Sequence, residues 1–267
     1  MKLQCLNKFT RLIETIREMQ SVIVAYSGGV DSTLVLKAAS MADLQSILAV
    51  TGDSQSLPRD ELLFAKQMAS YLNVPHRIIK TEELEDENFS GNPPDRCYYC
   101  KKELFGKLKE IAFKENFSYI LDGTNADDIK DFRPGRRAGA EMGVRSPLLE
   151  VGLGKREIRE ISLELGLPTY DKPQTPCLAS RFPYGQRITA KELEKVEKAE
   201  RFLKNLGLKE LRVRNHGEIA RIEIMPEEIL IFKDEEIRTE TLRFLKSLGF
   251  KYITLDLQGF RSGSLNE

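Results

Sequence analysis

One stretch constrains the fold of this chain more than any other. The apolar run Val22-Ile23-Val24-Ala25-Tyr26 meets Ser27-Gly28-Gly29, and a helical pattern follows over residues 31–41. An apolar run without alternation belongs to a strand buried on both faces, the habit of a parallel sheet. The two glycines permit a sharp turn and let backbone N–H groups come close to an anion. The helix behind them points its positive end at the same place. Ser27, Ser32 and Thr33 add hydroxyls. Asp31 would repel a phosphate unless a divalent cation lay between them, which assigns it a Mg²⁺-related role. The bland alternative is a Gly-rich turn with a serine cap. Consecutive fitting residues between a strand and a helix outweigh it.

Further apolar runs at residues 47–50, 76–80 and 119–121 alternate with helical patterns at 58–72, 100–113 and 155–165. This alternation predicts an α/β domain, a parallel sheet covered by helices, with ligands at the carboxyl ends of the strands. Ser27 and Asp122 both follow strand ends, so the segment Asp122-Gly123-Thr124-Asn125 can face the same site, with Gly123 and Thr124 as nucleotide contacts. A polar turn with a helix cap is the other reading of that segment. Residues 81–96 read as loop, followed later by a glycine-rich basic segment at 133–143. Pro168, Pro173, Pro176 and Pro183 forbid a regular element and mark a junction, giving domains 1–175 and 176–267. Beyond it, a helix at 190–206, strands at 211–213 and 219–224 joined through Asn215-His216-Gly217, a mostly helical stretch at 226–248 and a strand at 252–257 predict a smaller α+β domain.

With 267 residues, the chain is long enough for two cores. Lys+Arg 41 against Asp+Glu 41 leaves no broad positive field, which argues against a nucleic-acid partner. No apolar run approaches the ~20 residues of a membrane span, and residues 1–20 hold no signal-peptide core. The cytoplasm is the expected location. The charge pattern of residues 191–204 reads as a solvated helix face without function.

Four cysteines occur, at 5, 97, 100 and 177. In a cytosolic enzyme they read as ligands, nucleophiles or core residues rather than disulfides. Cys97 and Cys100 form a C-x₂-C pair, open to a zinc half-site, a redox dithiol or cluster ligation. Cys177 lies in the proline-rich junction. Three thiolates, two adjacent and one remote, suit a [4Fe–4S] cluster with one open iron. Zinc and unmetallated thiols with a reactive Cys177 remain alternatives, and Cys5 reads as a bystander. Arg181, Arg212 and Arg214 are candidates for gripping phosphate or carboxylates, with Ser180 beside them. Glu200 and Glu223 are weaker candidates for the same cavity. Arg212 and Arg214 share a strand face and could equally form a solvated or salt-bridged surface.

Residues 27–33 resemble the signature of the PP-loop ATP pyrophosphatases. They lack the lysine of a Gly-Lys-Ser/Thr loop that grips a transferring γ-phosphate. The resemblance implies that ATP is broken between its α- and β-phosphates. Arg96-Cys97-Tyr98-Tyr99-Cys100-Lys101, the segment from Pro176 through Cys177 to Gly185, Arg212-Val213-Arg214 with His216-Gly217, and the ending from Leu255 to Ser264 are similar to the LarE family. This resemblance spans nearly the whole chain. It implies an ATP-dependent sulfur transferase that adenylates a carboxylate of a pyridinium dicarboxylate mononucleotide. Sulfur then displaces AMP, giving a thiocarboxylate for the nickel-pincer nucleotide of lactate racemase. Sulfur would come from a sulfide carried on a cluster held by Cys97, Cys100 and Cys177, or from Cys177 itself, sacrificed to dehydroalanine. The family also implies a homo-oligomer. Rival expectations are a tRNA thiolase with the same loop, an amidating ligase, and a non-enzymatic iron–sulfur or nucleotide sensor.

Overall fold

Strand β1 (Ser21–Ala25) is buried at every position and lies inside a four-stranded sheet of order β3-β2-β1-β4. Its neighbours are β2 (Ser46–Asp53) and β4 (Tyr119–Leu121). Strand β3 (His76–Lys80) extends the sheet beyond β2, and every pairing is parallel. The helices in chain order are α1 (Leu3–Arg17), α2 (Val30–Ser40), α3 (Arg59–Tyr71), α4 (Glu87–Ser90), α5 (Arg96–Glu115), α6 (Pro134–Glu141), α7 (Pro147–Glu150) and α8 (Lys155–Glu164), followed by α9 (Ala190–Asn205) and α10 (Glu235–Ser247). This computed structural model describes residues 3–130 and 134–261. Arg133 and the residues Ser262, Gly263 and Ser264 of the C-terminal motif lie outside them.

Alternate residues of β1 serve opposite faces of the sheet. Val22 and Val24 pack with Leu12 and Ile16 of α1, Leu34 of α2, Ala65 of α3 and Ile158 of α8. Ile23 and Ala25 pack with Phe105 and Leu108 of α5 and Ala138 of α6. Both faces are therefore covered, which is why β1 carries no polar alternation. The chain builds β1, β2 and β3 outward in one direction, then places β4 on the other side of β1. The strand order reverses between β1 and β4, and in such sheets a ligand crevice opens at that point.

The chain divides into two compact units, Met1–Phe89 with Asp95–Thr175, and Ser90–Pro94 with Pro176–Glu267. In the second unit β5 (Leu211–His216) runs antiparallel to β6 (Ile219–Ile224), and β6 runs parallel to β7 (Tyr252–Leu255). Leu203 of α9, Val213, Ile222 and Leu245 of α10 form its core. The Asn215-His216-Gly217 turn closes through Gly217 N–H donating to Asn215 Oδ1 at 2.9 Å. Among the described residues no helix is long and apolar enough to cross a membrane.

Three local expectations change. Helix α5 starts at Arg96, one residue after Pro93-Pro94, and so carries both Cys97 and Cys100 near its N-terminus. The basic segment 133–143 holds α6. The proline-rich junction contains a 3₁₀ turn, Leu178–Arg181, because a single i→i+3 turn fits between prolines that no longer helix would tolerate.

Candidate active site

At the carboxyl end of β1 the chain turns through residues 27–33 into α2. Gly28 has φ +70, and a Cβ there would meet Ala65 Cα at 2.9 Å. Glycine is required twice over, by the left-handed backbone and by the close approach of α3. Ser27 Oγ lies 3.0 Å from Ser32 Oγ, and Gly29 N–H donates to Ser27 Oγ at 3.3 Å. These hydroxyls brace the turn from within. Across the sheet reversal, a Cβ on Gly123 would meet Ser32 N at 2.9 Å. The turns after β1 and β4 thus touch, and they wall one crevice at the start of α2.

Thr33 points inward, and Thr124 is held by Asp122. Thr33 is wholly buried, and its hydroxyl lies 3.3 Å from the Tyr26 hydroxyl rather than at the mouth of the loop, where the sequence pattern placed it. Burial pushes the Tyr26 phenol up to about 12, tempered by the Thr33 contact, so it stays protonated. Thr124 Oγ1 donates to Asp122 Oδ2 at 2.8 Å, and Ser146 Oγ donates to Asp122 Oδ1 at 2.7 Å.

Lysines reach the loop from distant sequence. Lys155 Nζ donates to Asp31 Oδ2 at 2.6 Å, with both side chains about a quarter exposed. Lys155 begins α8, and its own N–H donates to Asp127 Oδ2 at 2.7 Å. Gly154 leaves room for that carboxylate, since a Cβ there would meet Asp127 Oδ2 at 2.9 Å. Asp127 N–H in turn donates to Asn125 Oδ1 at 2.9 Å. Lys172 Nζ donates to Glu61 Oε2 at 2.8 Å and to the Gly28 carbonyl at 3.3 Å, and sits 3.7 Å from the Phe64 ring centre. Sequence reasoning passed over both, because a lone lysine at a helix start or in a proline-rich tail carries no motif.

Cys97 and Cys100 stand three residues apart near the N-terminus of α5, so they share one face. Cys97 is exposed and Cys100 half-buried. A helix N-terminus favours the thiolate form. Two accessible sulfurs on one face are soft donors suited to an iron–sulfur cluster or zinc. Cys5 is buried in α1, its Sγ 3.5 Å from Glu160 Oε2, away from the loop chemistry.

In the second unit, half-buried Cys177 precedes the 3₁₀ turn. Arg181 Nη1 donates to the Cys177 carbonyl at 3.3 Å and to Ser180 Oγ at 2.9 Å. The rest of its fork donates to Glu200 at 2.8 and 3.0 Å. Burial works against this guanidinium's charge, and the Glu200 carboxylate more than restores it. Arg214 forks onto Glu223 at 2.9 and 3.0 Å and donates to the Ser180 carbonyl at 2.6 Å. The face shared by Arg212 and Arg214 is therefore buried, not solvated, because Glu200 of α9 and Glu223 of β6 supply counter-charges beneath it.

Arg212 differs. It is 6% exposed and stacks 4.8 Å from the Phe260 ring centre, with Nη1 donating to the Arg261 carbonyl at 3.3 Å. Among the described residues it makes no ion pair with a carboxylate. Burial first, and the Arg181 and Arg214 charges next, hold its pKa down to about 10. Of the three arginines, it is the one whose charge has no directly bonded carboxylate among the described residues.

Comparison with known proteins places this geometry. Residues 14–103, which contain β1, the loop and α2, match the asparagine synthase family. The chain is 44% identical over 260 residues to an uncharacterized protein of Synechocystis sp., covering 97% of each. It is 38% identical over 265 residues to the pyridinium-3,5-bisthiocarboxylic acid mononucleotide synthase of Lactiplantibacillus plantarum, covering 97% of this chain and 94% of that one. Similarity to a tRNA-specific 2-thiouridylase of Leptospira biflexa is lower, 24% over 219 residues, covering 67% of this chain and 58% of the relative. With the full-length match and the loop at the sheet reversal, the chain belongs to the LarE family of ATP-using PP-loop sulfurtransferases.

Proposed function

We propose that the chain adenylates a carboxylate of a pyridinium dicarboxylate mononucleotide and replaces the AMP by sulfur, making a thiocarboxylate for a nickel-pincer nucleotide. The observation that carries this reading is the phosphate loop at residues 27–33 in a chain 38% identical, over almost its full length, to a synthase of that bisthiocarboxylic acid mononucleotide. The zero net charge favours a small nucleotide over tRNA.

A carboxylate is a poor electrophile. One of its oxygens attacks the α-phosphorus of ATP, the bond to the bridging oxygen breaks, and pyrophosphate leaves. The N–H groups around Gly28 and Gly29, with the positive end of α2, hold the phosphates. Asp31 suits a hard divalent ion, which takes one or two carboxylates and completes its shell with phosphate oxygens. A sulfur nucleophile then adds to the acyl carbon, and AMP leaves with its bonding electrons. Arg212 holds the substrate's phosphate or second carboxylate, while Arg181, fixed by Glu200, and Ser180 hold the Cys177 segment in shape. Cys97, Cys100 and Cys177 would ligate a [4Fe–4S] cluster, which when bound would supply sulfide from its open iron.

The test is an anaerobic assay with ATP, sulfide and the dicarboxylate nucleotide, with mass spectrometry of small molecules and protein. Pyrophosphate, AMP and a thiocarboxylate should appear together, with Cys177 intact over many turnovers. Dehydroalanine at 177 after one turnover would replace the cluster reading by sacrificial transfer. Absence of pyrophosphate would sink the whole reading.

A further inference from the structure

We infer that Lys155 supplies the phosphate-gripping cation that the loop at residues 27–33 lacks, acting on the departing pyrophosphate. This rests on the reading of that loop as the ATP site. As the substrate oxygen bonds to the α-phosphorus, the bond from that phosphorus to the bridging oxygen breaks, and its electron pair stays on the bridging oxygen. No proton has to move. The step therefore needs fixed positive charge near the leaving group rather than an acid.

The loop's own polar side chains are hydroxyls and one carboxylate, Asp31. Lys172 is spoken for: it bonds Glu61 and the Gly28 carbonyl, lies over Phe64, and its side chain is only 14% exposed. It holds the outer turn of the loop in place. Lys155 is built differently. Its backbone is pinned by Asp127, within the turn that follows β4, and its ammonium extends to the first turn of α2. That puts a fixed root and a mobile four-carbon stem at the wall of the crevice.

Pairing with Asp31 gives the ammonium a counter-charge in the resting state. It keeps the ammonium at the loop, and it masks a carboxylate that would repel an entering phosphate. When a divalent ion arrives with the nucleotide, Asp31 gains a doubly charged partner. Lys155 is then released to the adjacent β-phosphate oxygens. An ion pair poised in this way exchanges partners without crossing a large desolvation barrier, because its two side chains are already partly wet.

The experiment compares wild type, Lys155→Ala and Lys155→Arg. It measures steady-state pyrophosphate release with magnesium ATP and the dicarboxylate nucleotide, inhibition by added inorganic pyrophosphate, and thermal melting. Lys155→Ala should lower kcat about 100-fold, the usual scale for removing one charge-stabilising group. Pyrophosphate should also inhibit it at least about tenfold more weakly, while the melting temperature stays within a few degrees, as for a partly exposed pair. Lys155→Arg should recover most of both. Wild-type turnover and wild-type pyrophosphate inhibition in Lys155→Ala would overturn the inference alone. So would a large drop in melting temperature with pyrophosphate inhibition unchanged, which is the pattern of a structural role. If the wild type itself releases no pyrophosphate, the ATP-site reading falls first.

Discussion

Replacing Arg212 by methionine should stabilise the protein while removing its hold on an anion. The guanidinium sits at about 10, well below the ordinary arginine range, through burial and two neighbouring arginines. At ~1.4 kcal/mol per unit, that depression bounds the cost of keeping it charged at roughly 3 kcal/mol. The side chain is almost out of solvent, yet its guanidinium is only partly desolvated, and screening at that edge leaves about 1 kcal/mol. The sign follows from proton counts. Below pH 10 both folded and unfolded states hold the proton, and the folded state bears the full cost. Stability rises only as the folded state sheds the proton, from about pH 10 up to the ordinary arginine range. At pH 7 the cost is therefore present, and deleting the charge removes it. Methionine keeps an unbranched stem over Phe260 and a favourable sulfur–ring contact. A gain of ~1 kcal/mol corresponds to ~2–4 °C in a protein of this size. Thermal melts with and without millimolar inorganic phosphate are the assay. Phosphate should raise the melting temperature of wild type by mass action and raise that of Arg212→Met by less, since only the loop at residues 27–33 is left to hold it. Arg214→Met is the contrast: it strips a fork from Glu223, whose side chain is 1% exposed, and should cost about 3 kcal/mol. If Arg212→Met melts as far below wild type as Arg214→Met does, Arg212 is a structural cation and the argument is wrong.

Gly28→Ala forces a Cβ to 2.9 Å from Ala65 Cα at φ +70, so it should cost ~1–3 kcal/mol and raise KM for ATP at least about tenfold. Unchanged ATP titrations would remove the loop from the site. Cys177→Ala should still release pyrophosphate but yield no thiocarboxylate by mass spectrometry, and thiocarboxylate from that variant would discard Cys177 as the sulfur-handling residue. His76, bonded to Thr51 at 2.8 Å, has its pKa lowered by burial and then by Lys66. The unfolded state thus binds the proton first as pH falls below ~6.5, and stability drops on acidification until the folded pKa is passed. In acid denaturation curves His76→Asn should flatten part of that fall, and an unaltered slope would show that other groups drive it.

The strand, turn and helix around Ser27 were legible because their demands are local. An unbroken apolar run, two glycines and a helix start follow one another within a few residues, and each narrows the backbone on its own. The pairing of Lys155 with Asp31 was not legible, since 124 residues separate them and only the sheet order brings β4 and α8 beside β1. The arginine face was legible only in part, for a related reason. Spacing on β5 showed that Arg212 and Arg214 look the same way, but burial was decided by Glu200 on α9 and Glu223 on β6. Thr33 shows the limit within the motif itself. Its place in the sequence fitted a ligand hydroxyl, yet Tyr26 at the end of β1 takes it inward.

The short segment Ser90–Pro94 has a consequence for how this protein can be divided. It lies between α4 and α5 in the chain but belongs to the second unit. Asn92 Nδ2 donates to the Pro183 carbonyl at 2.7 Å, Gly185 N–H donates to the Asn92 carbonyl at 2.9 Å, and Ile188 N–H donates to the Ser90 carbonyl at 2.8 Å. The polypeptide passes between the units after Phe89, after Pro94 and after Thr175. A protease nick at the last passage leaves residues 176–267 with no covalent link to the rest, held to residues 90–94 by these hydrogen bonds and packing alone. A gene fragment encoding residues 176–267 omits the piece that ties down its own first turns. The second unit is threaded rather than appended, and neither truncation nor a single recombination crossover can move it as a self-sufficient module.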